Sequence, residues 1–190
     1  MVSTDVEALA SYVTQELIPG LQEEVHGGQY SKATRLVEIC EQIELDDEAL
    51  TAAFIWSYGP FSQARCDHIQ KRFGIPVREM IEGISQMENI SAFSQSGQGT
   101  VSDENLRKML IAMVNDVRVV LIKLADQVDV LRTIKDQPEA IRRDIAQLTL
   151  DVYARLANRL GVWYLKWEME DYALRYLEPE SYHQVARELD

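Results

Sequence analysis

The chain has 190 residues, of which 46% are hydrophobic and 26% charged, and its formal net charge is −12. This length and composition are typical of one globular domain. The negative charge argues against non-specific binding to nucleic acid or to an anionic membrane, because both surfaces would repel it.

The sequence predicts a cytoplasmic protein. Its N-terminus lacks a basic region followed by an apolar run, so no signal peptide is expected. No apolar run approaches the roughly 18–20 residues needed to cross a membrane. Cys40 and Cys66 are isolated and show no metal-ligand spacing, so we expect buried, reduced thiols.

Helical periodicity dominates and no hairpin signal occurs, which predicts an all-α fold. Thr4 and Asp5 are candidate caps for the first helix. The first helix is expected to end at Pro19–Gly20, and a second to begin at Gly27–Gly28. Three more are expected from Asp46–Asp47 to Gly59–Pro60, from Ser62 to Gly74, and from Pro76 to about Asn89.

The Gly- and Ser-rich stretch Ser91–Val101 predicts a mobile loop. Helical patterns follow over 102–115, 117–135, Pro138–Leu160, Trp163–Leu177 and Pro179–Leu189, with Gly161 as a stop signal. No linker divides the chain, so residues 1–190 are predicted to form one multi-helix domain. An apolar stripe runs to Leu189, one residue before the end, which suggests a fragment of a longer chain; a natural C-terminal docking helix is the alternative.

Two segments carry a resemblance to a known family. Residues 116–133 read DVRVVLIKLADQVDVLRT, and residues 153–182 read YARLANRLGVWYLKWEMEDYALRYLEPESY. They resemble the N-terminal hydrolase-type domain of the long RelA/SpoT proteins, which make and break (p)ppGpp; that family carries VLIKLAD, YAPLANRLGI and LKWELEDYAFRYL. Arg155 stands where the family usually has proline. The likeness covers most of the chain from about Lys32 onward, whereas the first thirty residues match nothing usable.

The resemblance implies an all-helical HD-type fold and, in active members, removal of the 3′-pyrophosphate of (p)ppGpp with Mn²⁺. It also implies ligand positions: an early His, a His-Asp pair on a later helix, and an Asp on the VLIKLAD helix. A Glu-Asp pair one turn beyond His-Asp serves the water and the pyrophosphate.

Most of these positions have changed in this chain. The family stretch AALLHDVVEDT falls on residues 52–62, AAFIWSYGPFS, and the early His falls on Lys32. Asp126 is kept, but the family's R-L-H-N after it becomes Gln-Val-Asp-Val, ending at Val130. The vestigial hydrolase positions are therefore Lys32, Trp56, Ser57, Pro60, Phe61, Asp126 and Val130.

These replacements predict that the metal site is lost. The indole of Trp56 has no in-plane lone pair, and Ser57 is a weak neutral ligand. Pro60 and Phe61 offer no ligand atom, and Lys32 places a positive charge where the metal should bind. We expect no Mn²⁺, no other cofactor and no catalytic residue in this chain, with the former pocket filled by apolar side chains.

Other candidate sites have simpler interpretations. His26, His68 and His183 fall on different predicted helices and away from the family ligand positions. Glu168, Glu170 and Asp171 could hold a metal, but pairing with Lys166 and Arg175 along the helix is favoured. The strip Trp163, Tyr164 and Trp167 could stack on bases, although packing between helices is favoured.

Within the resembled family, lost ligands are typical of the RelA branch. This implies an inactive regulatory domain of a ribosome-associated (p)ppGpp synthetase, which moves pyrophosphate from ATP to GTP or GDP and takes part in the stringent response. The expected partners are the synthetase domain of the same chain and, through the rest of the protein, the ribosome and uncharged tRNA. Candidate interdomain residues are Trp163, Trp167, Tyr172, Tyr176, Tyr182 and Leu189.

Two alternatives remain open from the sequence. The chain could be a stand-alone module that binds a nucleotide or a protein in the vestigial cleft around Trp56 and Asp126. It could also be an active Mn²⁺-dependent (p)ppGpp hydrolase with a relocated metal site.

Overall fold

The computed structural model describes residues 5–19, 21–95, 116–180 and 182. All regular secondary structure in these ranges is helical, which confirms the predicted all-α class. The chain forms two compact units. The first includes the described residues up to Gln95 and from Asp116 to Lys123, and the second includes those from Leu124 onward. That residues 1–190 form one domain remains a prediction.

The first unit contains five helices and the start of a sixth among its described residues. They are α1 (Val6–Tyr12, extended by the π-helical turn Val13–Leu17), α2 (Glu23–Gln42), α3 (Asp47–Trp56), α4 (Gln63–Phe73), α5 (Ile75–Gln95) and the first part of α6 (Val117–Thr133). Helix α3 lies at the centre, because it packs against α1, α2 and α5 and is buried along most of its length.

Helices α5 and α6 approach each other closely within the first unit. A Cβ atom built at Gly83 would lie 3.1 Å from a methyl carbon of Val119. Such a contact is tighter than side chains normally make, so glycine permits this spacing. Arg118 fixes the same end of α6, because its guanidinium donates to the carboxylates of Asp46 and Asp116, at 2.7 Å each.

The second unit begins inside α6. It continues through the 3-10 turn Ile134–Asp136, α7 (Glu139–Leu148), the π-helical turn Thr149–Ala154, α8 (Arg155–Leu160) and α9 (Trp163–Leu177). Helix α9 packs against α7, α8 and the π-helical turn. Its position is further fixed by an ion pair of 2.6 Å between Glu168 and Arg132 of α6.

Several boundaries predicted from capping residues are confirmed. Asp5 and Asp46 accept hydrogen bonds from backbone N–H groups in the first turns of α1 and α3. Gly74 and Gly161 end α4 and α8 with φ angles of 93° and 74°, which favour glycine. The predicted limits of α9 are those observed.

Two predicted boundaries are wrong. Helix α2 begins at Glu23 and passes through Gly27–Gly28, so these glycines do not start it. Helix α5 continues to Gln95, four residues into the segment predicted to be a loop. The rest of that loop, the predicted helix over 102–115 and residues 183–190 lie outside the described residues. No helix in the described ranges combines the length and apolar character required to cross a bilayer.

Candidate functional site

The positions that correspond to the family's His-Asp pair lie at the C-terminal end of α3. Trp56 is the last residue of this helix and Ser57 follows it, with 7% and 6% of their surfaces exposed. The Ser57 hydroxyl donates a hydrogen bond to the carbonyl of Ala53, 3.0 Å away, one turn back on the same helix. The Trp56 carbonyl accepts from the N–H of Gly59, which closes a tight turn. Both side chains are therefore held in the packed interior.

Two lysine ammonium groups converge on the indole of Trp56. Lys32 Nζ on α2 lies 4.9 Å from the ring centroid, and Lys123 Nζ on α6 lies 5.1 Å from it. Both distances fall within the range of cation–π attraction. Only 6% of Lys123 is exposed, and its ammonium nitrogen lies 3.9 Å from a carboxylate oxygen of Glu88. We call Lys32, Trp56 and Lys123 the Lys–Trp–Lys cluster.

This donor set does not fit a divalent metal. The indole offers no lone pair in its plane, and both ammonium groups are donors without an acceptor. Within the described ranges, no three His, Cys, Asp or Glu side chains lie close enough together to hold a metal ion. The side chains of the Lys–Trp–Lys cluster thus offer no lone pair to a metal ion.

The expectation that apolar side chains fill the former pocket holds only for part of the site. Pro60 is exposed and Phe61 half-buried, after a cis peptide bond between Gly59 and Pro60. Neither side chain offers a group that could serve as general acid or base. Trp56 is the side chain that is buried in the protein interior, whereas Pro60 lies at the surface.

The retained carboxylate lies on α6, in the part that belongs to the second unit. Asp126 is 3% exposed, one turn beyond Lys123 along the helix. The next residue, Gln127, is also buried and donates a hydrogen bond of 2.8 Å to the hydroxyl of Thr149. Val130 is half-buried and provides no polar atom. Of the two vestigial positions in this unit, Asp126 thus supplies a carboxylate and Val130 supplies no ligand group.

The two histidines within the described ranges contact tyrosine hydroxyl groups. His68 Nδ1 lies 3.2 Å from the hydroxyl of Tyr12, and His26 Nδ1 lies 3.5 Å from that of Tyr58. Burial raises the pKa of each tyrosine to about 12. The histidines are half-buried, and their hydrogen-bond partners are tyrosines rather than carboxylates. His183 lies outside the described residues.

The aromatic strip of α9 is exposed, so the expectation that it packs between helices is wrong. Trp163, Tyr164 and Trp167 have exposed fractions of 53%, 48% and 64%. Leu160 and Leu174, at 36% and 44%, continue the apolar surface in both directions. We call these five residues the α9 apolar face. Contiguous exposed apolar patches are typical of interaction surfaces.

Other candidate interdomain residues stabilise the second unit. Tyr176 donates a hydrogen bond of 2.8 Å to the carbonyl of Leu131, and burial raises the pKa of its hydroxyl. Tyr172 and Tyr182 both pack against the guanidinium of Arg175, at 5.0 and 4.8 Å. Leu189 lies outside the described residues.

The acidic residues of α9 form the ion pairs expected from their spacing. Lys166 pairs with Glu170 at 2.7 Å, and Arg175 pairs with Asp171 at 2.6 Å. Glu168 pairs instead with Arg132, outside its own helix. These pairs show that the carboxylates of α9 serve structural contacts within the second unit.

Lys123 was not identified as a site residue from the sequence. The available signal was a single lysine inside the apolar run Val119–Ala125 of a buried helix. A charged residue in such a run is rarely fully buried unless another group compensates it. Its contact with Trp56 depends on the packing of α6 near α3, which no local pattern reveals.

Comparison with known proteins identifies the family. The model of the HD domain family matches residues 10–163. A GTP pyrophosphokinase of Photobacterium angustum is 38% identical over 164 residues, which cover 83% of this chain and 22% of that protein. A GTP pyrophosphokinase of Escherichia coli K12 is 38% identical over 159 residues, or 82% of this chain and 21% of that protein.

A third relative carries a hydrolase name. This probable guanosine-3′,5′-bis(diphosphate) 3′-pyrophosphohydrolase of Synechocystis is 38% identical over 140 residues, covering 73% of this chain and 18% of that protein. The chain therefore spans about a fifth of the length of these relatives. Together, these matches and the helical fold show that the chain belongs to the HD domain family and is a homologue of the RelA/SpoT-type GTP pyrophosphokinases.

Proposed function

We propose that this chain is a catalytically inactive, regulatory pseudo-hydrolase domain of a RelA-type (p)ppGpp synthetase. The observation that carries the proposal is the Lys–Trp–Lys cluster, in which the buried indole of Trp56 and the ammonium group of Lys32 stand at positions that correspond to metal-ligand positions in the family, with Lys123 beside them. Without ligands for Mn²⁺, the domain holds no metal-activated water and does not hydrolyse (p)ppGpp.

The regulatory role is supported by the α9 apolar face. Its two tryptophans, Trp163 and Trp167, are each more than half exposed. Aromatic side chains of this kind dominate protein interfaces when they become buried. In the proposed full-length protein, this face contacts the synthetase domain, which transfers pyrophosphate from ATP to GTP or GDP.

The names of the relatives support the activity proposed for the parent protein. GTP pyrophosphokinases of Photobacterium angustum and Escherichia coli each extend far beyond the matched region. The parent would act in the stringent response in the cytoplasm, bound to the ribosome and uncharged tRNA through its other domains. The net charge of −12 supports the absence of direct nucleic-acid binding by this part of the chain.

A second candidate function is an active (p)ppGpp hydrolase. It is favoured by the Synechocystis relative, which is 38% identical and named as a probable pyrophosphohydrolase. This alternative requires metal ligands other than Trp56 and Ser57. Incubation of the chain with ppGpp and Mn²⁺ separates the two functions.

The regulatory proposal is tested by removing the domain from the full-length protein. Deleting residues 1–150 is expected to change the basal or the ribosome-stimulated rate of synthesis, because it removes the first unit and also α6 and α7, which α9 contacts. Trp163→Ala with Trp167→Ala in the intact protein should change the same rate in the same direction. Unchanged rates in well-folded protein under both conditions would contradict a regulatory role.

A matched control distinguishes the α9 apolar face from general effects of surface mutation. Ile75 is 54% exposed, similar to Trp163, but lies in the first unit. Ile75→Ala is therefore expected to leave both synthesis rates unchanged. A change as large as that of the tryptophan variant would remove the evidence for a specific surface on α9.

A further inference from the structure

We propose that the α9 apolar face is a self-association surface, on which a second copy of this chain docks with its own α9 antiparallel. The inference goes beyond the proposed function, because this contact needs no synthetase domain. Both contacts use Trp163 and Trp167, so each excludes the other. In a protein that carries the synthetase domain, self-association would therefore release that domain from α9, and this consequence alone rests on the proposed function.

The exposed apolar residues of α9 form one stripe along the helix. Trp163, Trp167 and Leu174 follow one another at intervals of four and seven residues, which places them on the same side of a helix with about 3.6 residues per turn. Leu165 and Met169 lie on the other side and are fully buried. Helix α9 is thus apolar on two sides, of which the described part of the second unit covers one.

The area of this stripe is sufficient for a weak dimer. Trp163, Tyr164 and Trp167 are 53%, 48% and 64% exposed. An aromatic side chain buries about 150–250 Å² when it is fully covered, so each of the three retains on the order of 100 Å². Two copies would bury roughly 600 Å² of aromatic surface, about half of the roughly 1,200 Å² that a specific interface needs. Leu160, Leu174 and the charged edges of the helix supply further area, so we expect micromolar affinity.

One edge of the stripe is complementary in charge to itself. Lys166 Nζ lies 5.9 Å from the ring centroid of Trp163 and 2.7 Å from a carboxylate oxygen of Glu170. A positive and a negative charge therefore lie one turn apart beside the aromatic side chains. In an antiparallel pair whose two-fold axis passes midway between them, Lys166 of each copy faces Glu170 of the other. Each ammonium group then lies between two carboxylates, which favours a second copy over a partner of uniform charge.

The same register brings apolar side chains together. Trp163 of one copy lies near Leu174 of the other, and the two Trp167 side chains meet beside the axis. Aromatic residues at the centre and charged pairs at the edge are the arrangement typical of protein interfaces. The net charge of −12 on each copy is screened beyond about 8 Å at physiological ionic strength, so repulsion between more distant parts of the two copies is weak.

The test measures the mass of the chain in solution by analytical ultracentrifugation, from about 1 to 200 µM in roughly 0.15 M salt. The unaltered chain should change from monomer to dimer over this range. Trp163→Ala with Trp167→Ala should stay monomeric, because it removes the centre of the contact. Ile75→Ala, which truncates an equally exposed residue of the first unit, should dimerise like the unaltered chain. A monomer at every concentration, or a dimer that tolerates the loss of both tryptophans, would overturn the proposal.

Charge reversal at the edge tests the antiparallel arrangement. Lys166→Glu leaves two carboxylates at this edge and Glu170→Lys leaves two ammonium groups, so each variant alone should dimerise at least tenfold more weakly. An equimolar mixture of the two should dimerise like the unaltered chain, because opposite charges then face each other across the axis. Lys135→Glu changes the net charge equally at an exposed position outside α9, and should have little effect.

Circular dichroism establishes that each variant is folded. A mixture that dimerises as weakly as its two components would overturn the antiparallel contact. The synthesis rates of the full-length protein, which decide the proposed function, do not depend on whether this chain forms a dimer, so failure of one proposal is distinguishable from failure of the other.

Discussion

Replacing Trp56 by histidine should destabilise the chain strongly without creating a metal site. Trp56 is 7% exposed and its indole lies within about 5 Å of the Lys32 and Lys123 ammonium groups. Truncation of a buried Trp to Ala costs about 3–5 kcal/mol. An imidazole fills part of the same volume, but it loses two cation–π contacts of about 0.5–2 kcal/mol each. The expected loss for Trp56→His is about 2–4 kcal/mol.

This prediction is measured by urea unfolding at pH 7, followed by circular dichroism. The matched control is Trp167→His, since Trp167 is 64% exposed and should change stability by no more than about 0.5 kcal/mol. Mn²⁺ should not raise the unfolding midpoint of either variant, because a single imidazole beside two ammonium groups does not bind a metal. A Trp56→His protein as stable as the control would refute the packing argument, and one stabilised by Mn²⁺ would refute the loss of the site.

Two further predictions concern ionisation. Arg118→Met should lower the unfolding free energy by about 1 kcal/mol at pH 7, because its partners Asp46, Glu48 and Asp116 are partly exposed. The hydrogen bond from Arg118 lowers the pKa of Asp116, so this stabilisation is present above about pH 4 and is lost as the pH falls further. Equal urea midpoints for the variant and the parent at pH 7 would contradict a stabilising role for Arg118. Burial raises the pKa of Tyr58 from about 10 to about 12, so the folded state keeps its proton longer and stability should fall as the pH rises from 10 to 12. Tyr58→Phe should make this fall shallower, by about 1–2 kcal/mol over the interval, and an unchanged slope between pH 10 and 12 would count against it.

Helix boundaries were predictable where a local signal decides them. Asp46 supplies the side-chain oxygen that the first turn of α3 needs, and Gly161 adopts the left-handed conformation that ends α8. The start of α2 was not predictable from Gly27–Gly28. A glycine inside a helix costs about 1 kcal/mol, which helical hydrogen bonds and the packing of α2 on α3 outweigh.

The identity of the changed site residues was predictable, but their surroundings were not. The resemblance places Trp56 and Lys32 at ligand positions, and the chemistry of an indole and an ammonium group follows from residue type. The distance from Lys123 to Trp56 depends on the packing of helices far apart in sequence. The exposure of Trp163 and Trp167 was also not predictable, because helical spacing of apolar residues identifies a face without showing whether another element covers it.

The most direct test of the central claim is incubation of the purified chain with ppGpp and Mn²⁺, with release of pyrophosphate followed over time. The account predicts no turnover above a metal-free control, because Trp56, Ser57 and Lys32 provide no ligand set for the metal. An active HD-type pyrophosphohydrolase assayed in parallel shows that the conditions support hydrolysis. Mn²⁺-dependent release of pyrophosphate by this chain would contradict the claim that it is a pseudo-hydrolase.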